Sequence, residues 1–388
     1  MKNIFILLFT FLLTNTYLFA QKTEKVEADT VGFINNIVEK TLDLVTVEKG
    51  NTTFAAFPTL GYSSAIGLDF GIFGVYSIKP EEDEQSTNSR FHRPTTFVPS
   101  ISYSTKKQYM FSLDAMIFSK SGWNSMSSFN FLNMPGVYFG IGVQPNEEVQ
   151  TTLFSSTRYL FMGEINKSIN DIYFIGLKYD LSHVHNFNLE GESLQPDITG
   201  YDGGWANGLG VTLKRDTRNN TTYPTQGSFW QFSAMKYGKY LGSSYDYETV
   251  LFDFRNYFEL GDGKNSLAVQ AFMQMTFGEV PFYNMPNLGG SKSLRGLVHQ
   301  SKYIDQHIYY VQTEYRRTLD NRFGVTAFVG TGNTLAHLDD NWTEGMNTVY
   351  GLGGRFNLVP KERINFRLDY GRSITGESTL IMTVMEAF

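Results

Sequence analysis

The sequence contains no cysteine, which excludes disulfide bonds and thiolate metal sites in this chain. After residue 20 it also lacks any long apolar run, because Asn, Ser, Thr, Asp or Lys interrupts every such stretch. A membrane-spanning helix needs about 20 consecutive apolar residues, so we expect no helical span there. The net charge of −6 is mild and no basic stripe is present, which argues against a nucleic-acid partner.

The first twenty residues have the pattern of a secretory signal peptide. Lys2 supplies the positive charge, residues 4–19 are almost entirely apolar, and Ala20 is a small residue suited to cleavage. A lone transmembrane anchor is the alternative, but the run is short and no stop-transfer charges follow it. We therefore assign residues 1–20 to a signal peptide, and residues 21–52 to a short N-terminal segment.

Within that segment, residues 31–47 show helical periodicity. Their apolar positions are Ile34, Ile37, Val38, Thr41, Leu42 and Val45. Asp29 precedes them as a candidate N-cap residue. The pattern predicts an amphipathic helix, which could lie on the surface below the rest of the protein, plug its interior or bind a partner.

From residue 53 onward, the period changes to two residues. In residues 172–182, 249–260 and 266–277, one face is apolar and the other carries charged or polar side chains. Aromatic residues make up 15% of the chain and there are 36 glycines. Alternation, aromatic residues and glycine without long apolar runs are typical of a transmembrane β-barrel, with the apolar face toward lipid and the polar face toward the lumen.

A soluble β-sandwich is the alternative fold, since it also has one apolar face per strand. Two features favour the barrel. Many predicted strands run to about 10–13 residues, as tilted membrane strands do, whereas soluble strands average about 5–6. Tight turns, such as residues 261–264 and 319–322, also alternate with longer loops. The longer loops are residues 134–150, 187–205, 279–303 and 335–347.

The sequence thus predicts an all-β protein, a closed antiparallel barrel of about 16 strands over residues 53–388, because open edges are not tolerated in hydrocarbon. The strands are expected near 54–62, 66–78, 95–107, 108–119, 123–133, 151–167, 170–186, 206–217, 227–239, 246–260, 265–278, 304–319, 323–333, 348–359, 364–374 and 378–388. On the last strand, we expect Leu380, Met382, Val384 and Phe388 to face lipid.

Three segments resemble the bacterial surface-antigen barrel domain of the BamA/TamA superfamily. The first is the turn KRDTRNN at residues 214–220, followed by Tyr223, Pro224 and Gly227. The second is the long loop before the twelfth strand, GGSKSLRGL, which is similar to the family's loop-six tip. Its motif residues are Gly289, Gly290, Leu294, Arg295, Gly296 and Leu297. Leu294 and Leu297 stand where the family pattern has Val and an aromatic residue.

The third segment is the set of strands after that loop, with TEYR at 313–316, FVG at 328–330 and RLDYG at 367–371. Alternation turns Glu314 and Arg316 toward the lumen, and likewise Phe328 and Gly330, and Arg367, Asp369 and Gly371. We expect Arg295 to enter the lumen, pair with Asp369 or Glu314, and stack on Phe328. Gly330, Gly371, Gly351 and Gly353 would leave room for the loop backbone. The alternative is that these charges merely solvate the lumen.

The resemblance implies two further features. Pro58 lies in the first strand, and proline is expected at sheet edges because it cannot donate to a ladder. The junction between the first and last strands would then be a weak seam of the kind through which the superfamily is thought to work, although a bulge or rim position is an equal alternative. The terminal Phe388 resembles the signal by which barrels are recognised for insertion.

The resemblance implies an outer-membrane protein of a Gram-negative bacterium that assists insertion or translocation of proteins. Its expected partners are outer-membrane lipids, lipopolysaccharide and a periplasmic or exported protein client, and we expect a monomeric barrel. Only about thirty residues lie between the signal and the first strand, too few for a POTRA module of ~50 residues. A passive pore or structural barrel without client activity is therefore the alternative function.

We find no nucleophile motif and expect neither catalysis nor a cofactor. His183 and His185 point to one side and could suggest a metal, but no third ligand is evident in the sequence. We interpret this pair as a feature of the barrel rim.

Overall fold

The computed structural model describes residues 46–63, 67–79, 94–145, 147, 149–170, 172–190, 197–261, 263–320, 322–359 and 363–388. Among these residues, no helix is both long and apolar enough to cross a bilayer. The signal peptide and nearly all of the predicted N-terminal helix lie outside the described residues. Only the end of that helix is described, and there Thr46 and Val47 begin a β-strand instead.

The regular secondary structure of the described chain is almost entirely β-strand. They are β1 (Thr46–Lys49), β2 (Thr52–Ser63), β3 (Gly67–Ile78), β4 (Thr95–Ser104), β5 (Tyr109–Phe118), β6 (Trp123–Tyr138), β7 (Thr152–Ser168), β8 (Tyr173–Glu190), β9 (Gly204–Asp216), β10 (Gly227–Tyr237), β11 (Tyr247–Leu260), β12 (Asn265–Gly278), β13 (His307–Thr318), β14 (Phe323–Leu335), β15 (Asn347–Val359), β16 (Ile364–Ser373) and β17 (Ser378–Val384). Three single-turn 3₁₀ helices lie at Lys239–Leu241, Phe282–Asn284 and Gln300–Lys302. Strands β2–β17 correspond to the sixteen predicted strands.

Each strand from β2 to β17 pairs antiparallel with its neighbour in the chain. The ladder therefore begins at β2 and ends at β17. Residues Thr52–Ala55 of β2 pair with β3 on one edge and with β1 on the other. The short strand β1 thus covers the start of the β2 edge that faces away from β3.

The strands alternate as predicted, with apolar side chains outward and charged side chains inward. On β13, Val311 and Tyr315 are exposed, whereas Glu314 and Arg316 are completely buried. On β16, Tyr370 is exposed and Asp369 is buried. The exposed apolar side chains give the barrel an exterior suited to hydrocarbon. The buried charges lie in its interior.

Most of the short turns lie at one end of the barrel, and most of the long loops lie at the other, which we call the long-loop end. We refer to the chain between β12 and β13, residues 279–306, as loop 6. Loop 6 contacts both halves of the ladder, since Gly142 N, in the loop after β6, donates to Ile304 O at 2.9 Å. Strands β6 and β8 extend to Tyr138 and Glu190, so they include residues that the sequence predicts to be loop.

The last strand is shorter than predicted. It ends at Val384, and Met385 adopts a left-handed φ of 72°, which turns the chain away from the line of the strand. Leu380 and Met382 are 58% and 59% exposed, as expected for lipid-facing residues. Phe388 is only 4% exposed, so the prediction that it faces lipid is wrong. The turn at Met385 carries it into the interior.

Candidate functional site

Loop 6 enters the lumen and packs there through apolar side chains. Leu288, Leu294 and Leu297 are at most 1% exposed, and they form one cluster with side chains of the barrel wall. Those wall residues are Ile308, Tyr310 and Val349. Leu294 and Leu297, which depart from the family pattern in the sequence, therefore anchor the loop by burial of aliphatic surface.

The backbone of loop 6 presents Arg295 at a tight turn. Gly289 and Gly290 have φ values of 104° and 92°, a region that favours glycine. Leu297 N donates to Leu294 O at 3.2 Å, which closes the turn around Arg295. Leu294 has a φ of 37°, unusual for a residue with a side chain, and its complete burial holds it there.

Arg295 lies at the centre of a buried ion-pair network. Its Nη2 atom donates to Glu314 Oε2 at 2.5 Å and its Nη1 atom to Asp369 Oδ2 at 2.6 Å. Its guanidinium carbon lies 3.8 Å from the centre of the Phe328 ring. The two carboxylates that the sequence left as alternative partners both accept hydrogen bonds from Arg295. These charges do not simply solvate the lumen, because all three side chains are 0% exposed.

Glycines of the wall allow the loop to approach. A Cβ atom at Gly371 would lie 1.5 Å from Arg295 O, and one at Gly330 would lie 2.8 Å from Leu294 Cδ2. Gly351 and Gly353 have a different role from the one predicted. They make room for the wall side chains Phe328 and Asp369, and not for the loop itself.

Three more arginines extend the network. Arg316 Nε donates to Glu314 at 2.7 Å, Arg355 Nη1 to Asp369 at 2.5 Å, and Arg367 Nη1 to Asp369 at 2.9 Å. Arg367 also donates to the loop backbone at Ser291 O. Alternation places Arg316 and Arg367 inward, but no signal in the sequence assigns them to the cluster. Arg355, two residues after Gly353, follows the same inward alternation and could have been found by it.

A second contact holds loop 6 at the long-loop end. Glu377, in the turn between β16 and β17, accepts hydrogen bonds from Lys302 Nζ at 2.8 Å, Tyr303 OH at 2.9 Å and Val298 N at 3.1 Å. Burial alone would raise the pKa of the Glu377 carboxyl, but these bonds outweigh it and hold that pKa below its usual value. Sequence patterning had given no signal for this residue.

The predicted turn after β9 also meets the network. Arg316 Nη1 donates to Pro224 O at 3.0 Å, and its guanidinium carbon lies 5.5 Å from the centre of the Tyr223 ring. All three motif segments identified in the sequence therefore converge on one group of buried charges.

A family model described as the Omp85 superfamily domain matches residues 59–375 of this chain, which include every strand from β3 to β16. The chain belongs to the Omp85 superfamily. The predicted resemblance to BamA-type barrels is confirmed by this match and by solved structures of the same fold. A comparison with curated protein sequences found no match.

Three solved structures show how far the similarity extends. BamA from Haemophilus ducreyi lacking POTRA domains 1–3 is 16% identical, with a TM-score of 0.55, and the match covers 87% of this chain and 71% of that one. CdiB from Acinetobacter baumannii is 10% identical, with a TM-score of 0.56, covering 87% and 60%. CdiB from Escherichia coli is 12% identical, with a TM-score of 0.56, covering 87% and 62%. At this identity the likeness is one of fold, and this Omp85 chain spans less than two thirds of either CdiB chain.

Pro58 of this Omp85 barrel lies in β2, opposite Ile72 of β3. It is therefore in a strand that ends the ladder, next to the expected seam. Proline is not restricted to that strand, however. Pro99 lies in β4, where the pairing with β3 skips two residues. The position of Pro58 agrees with a seam but does not by itself require one.

Phe388 packs inside the Omp85 barrel near its short-turn end. Its ring, together with Ala387, contacts Tyr257 and Ala268. Its backbone oxygen accepts a hydrogen bond from Arg316 Nη2 at 2.8 Å. Phe388, which resembles an insertion signal in the sequence, therefore contacts the lumen wall in the folded barrel.

We expect deletion of Phe388 to lower the amount of folded barrel in the membrane. Loss of a buried phenylalanine typically costs about 3 kcal/mol or more, and the deletion would also disturb the acceptor of Arg316. The amount is measured by immunoblot of membrane fractions, with Met382→Ala as the control because Met382 is exposed on β17. Equal membrane levels of the truncated and wild-type chains would disprove the expectation.

His183 and His185 form an aromatic stack. The His183 ring lies 4.2 Å from Trp205 and 5.0 Å from His185, and His185 lies 5.7 Å from Tyr159. No group of three or more metal-ligating side chains occurs among the residues that the structure describes. The pair contributes to packing near the long-loop end of β8.

Proposed function

We propose that this Omp85 barrel resides in the outer membrane and assists the insertion or translocation of proteins there. Its exterior is apolar along the strands, and its superfamily match covers the barrel. The proposed partners are outer-membrane lipids and lipopolysaccharide on the outside, and a periplasmic or exported protein as the client. We propose that it acts as a monomer and without catalysis.

The observation that carries this proposal is the position of loop 6. A pore for passive diffusion needs a continuous aqueous path, but here loop 6 occupies the lumen and is held by buried ion pairs. A loop held in this way is suited to gating or guiding a client and is unnecessary in an inert channel.

Contacts between the long loops at one end of the barrel support the same proposal. Phe282 N of loop 6 donates to Thr199 O at 3.0 Å, and Tyr283 OH lies 2.9 Å from Tyr245 OH. The Phe282 ring packs edge-on against Tyr138, with ring centres 5.2 Å apart. Loop 6 thus joins the loops that follow β8 and β10, and it covers part of the long-loop opening.

The first test is deletion of the gene followed by proteomics of the outer membrane and the secreted fraction. If the chain is an assembly or translocation factor, we expect the selective loss of one or a few proteins from these fractions. Expression of the wild-type chain should restore them. The Arg295→Ala chain should restore them poorly, whereas Arg317→Ala, which changes an exposed arginine of β13, should restore them fully.

The second test separates this function from a passive pore. The purified chain is placed in planar bilayers, where we expect little steady conductance because loop 6 lies inside the lumen and is bound to its wall. An unchanged proteome, combined with steady conductance that Arg295→Ala does not alter, would refute the proposal and favour the pore.

A further inference from the structure

We propose that the segment after β17, Met385–Phe388, is a lumenal anchor that holds loop 6 indirectly through Arg316 and Arg355. We call it the tail. The tail and loop 6 do not need to touch, because both bind the same buried network of charges.

Two routes connect the tail to Arg295. On the first, Phe388 O accepts from Arg316 at 2.8 Å, and Arg316 donates to Glu314 at 2.7 Å, which binds Arg295. On the second, Glu386 Oε2 accepts from Arg355 Nε at 2.8 Å, and Arg355 donates to Asp369 at 2.5 Å. Asp369 is the other carboxylate that binds Arg295. The side chains on both routes are at most 3% exposed, so solvent screens them little.

The turn into the lumen is fixed by local contacts of the tail. Met385 N donates to Asn365 O at 2.8 Å, and Asn365 Nδ2 donates to Glu386 Oε1 at 2.9 Å. Glu386 therefore has both carboxylate oxygens bonded, one to β16 and one to Arg355 of β15. This arrangement places a third carboxylate in the network without using a residue of the barrel strands.

The charges explain why the tail affects loop 6. Four guanidinium groups share three side-chain carboxylates. The cations are Arg295, Arg316, Arg355 and Arg367, and the carboxylates are those of Glu314, Asp369 and Glu386. If Glu386 is replaced by glutamine, two of these side-chain carboxylates remain for four cations. Arg355 already contacts Glu314 as well as Asp369, with Arg355 Nη2 3.4 Å from Glu314 Oε2. Released from Glu386, Arg355 competes with Arg295 for both of its partners, and the hold on loop 6 weakens.

The test uses the absence of native cysteine. Ser293→Cys introduces a single thiol on loop 6, at a position that is 8% exposed, and its labelling rate with a maleimide reports departure of the loop from the lumen. In this background we expect Glu386→Gln to raise the rate roughly three- to thirtyfold, the range for coupling through buried networks. Asn365→Ala, which loosens Glu386 without changing charge, should raise it less. The matched control is Asp246→Asn, which breaks an exposed side-chain pair with Lys236 that is not part of the buried network.

A second variant distinguishes competition from general loss of structure. If released Arg355 displaces Arg295, then adding Arg355→Gln to Glu386→Gln should bring the labelling rate back toward that of the Ser293→Cys parent. All rates are measured on the folded, heat-modifiable species. If Glu386→Gln does not fold, Asn365→Ala and the Glu386→Gln/Arg355→Gln pair decide the question.

The proposal is overturned if Glu386→Gln and Asn365→Ala are labelled no faster than Asp246→Asn. It is also overturned if the double variant is labelled faster than Glu386→Gln. The readout is the position of loop 6 in the purified barrel. The proposal about the tail is therefore tested independently of the proposed action on protein clients.

Discussion

Replacement of Arg295 by alanine is expected to release loop 6 and to destabilise the folded barrel. The change removes the loop 6 side chain that binds both Glu314 and Asp369, and it exposes the Phe328 ring face that the guanidinium covers at 3.8 Å. Breaking a buried ion pair by removing one partner typically costs about 3–5 kcal/mol, because a buried charge loses its compensation. The other three arginines remain near these carboxylates, so we expect about 3 kcal/mol.

The measurements are heat-modifiability on gels and protease sensitivity of loop 6. Arg295→Ala should unfold at lower temperature and be cut within residues 279–306, whereas Arg317→Ala should behave like wild type. Arg295→Lys should be intermediate, because one ammonium group cannot present the paired donors of a guanidinium to two carboxylates. Wild-type melting and protease resistance in Arg295→Ala would show that the ion pairs do not hold the loop.

The second large effect is expected for Gly371→Ala. The added Cβ atom would lie 1.5 Å from Arg295 O and 2.4 Å from Arg295 C, so the loop backbone would have to move. Gly371 pairs with Gly351 across the ladder, where a Cβ is excluded by the Tyr370 backbone and the Phe328 ring. The wall therefore has little freedom to yield. We expect a loss of about 3 kcal/mol, the upper end for overpacked sites, together with displacement of loop 6.

Gly354→Ala provides a matched control for Gly371→Ala. Gly354 lies on the neighbouring strand β15, and a Cβ there would meet no atom within 4 Å. Both substitutions add one methyl group to a strand glycine, so their general effect on strand propensity should be the same. Thermal unfolding of the purified proteins compares them. Equal shifts in the two variants would mean that the close approach of loop 6 does not determine the stability.

The periodicity of the sequence was sufficient to predict the strands. In β12 and β13 the predicted inward residues Gln270, Glu314 and Arg316 are all buried, and the outward Val311 and Tyr315 are exposed. This works because a strand alternates its side chains strictly, so one apolar face fixes the orientation of every other residue. The motifs then predicted that Arg295 binds the part of the wall that carries Glu314 and Asp369.

The prediction failed where the chain leaves regular structure. Phe388 was placed on the lipid face by extending the alternation of β17 through Met385, whose left-handed φ breaks it. The last two residues of the predicted helix, Thr46 and Val47, lie in β1 instead. Pairing of β1 with β2 across a tight turn at Gly50 satisfies the backbone of Thr46–Lys49. In both places, a local turn overrides a periodic pattern.

The sequence by itself determined the strand order, the apolar exterior and the family of this protein, because these depend on residue type and spacing along the chain. Only the tertiary structure decided that Glu314 and Asp369 both bind Arg295 and that Glu386 and Phe388 join the same network. Arg355, Glu386 and Phe388 are distant in sequence from Arg295, and no local pattern links them. They come together because the curved ladder brings its inner faces against loop 6 and the tail, where each buried charge must find a partner.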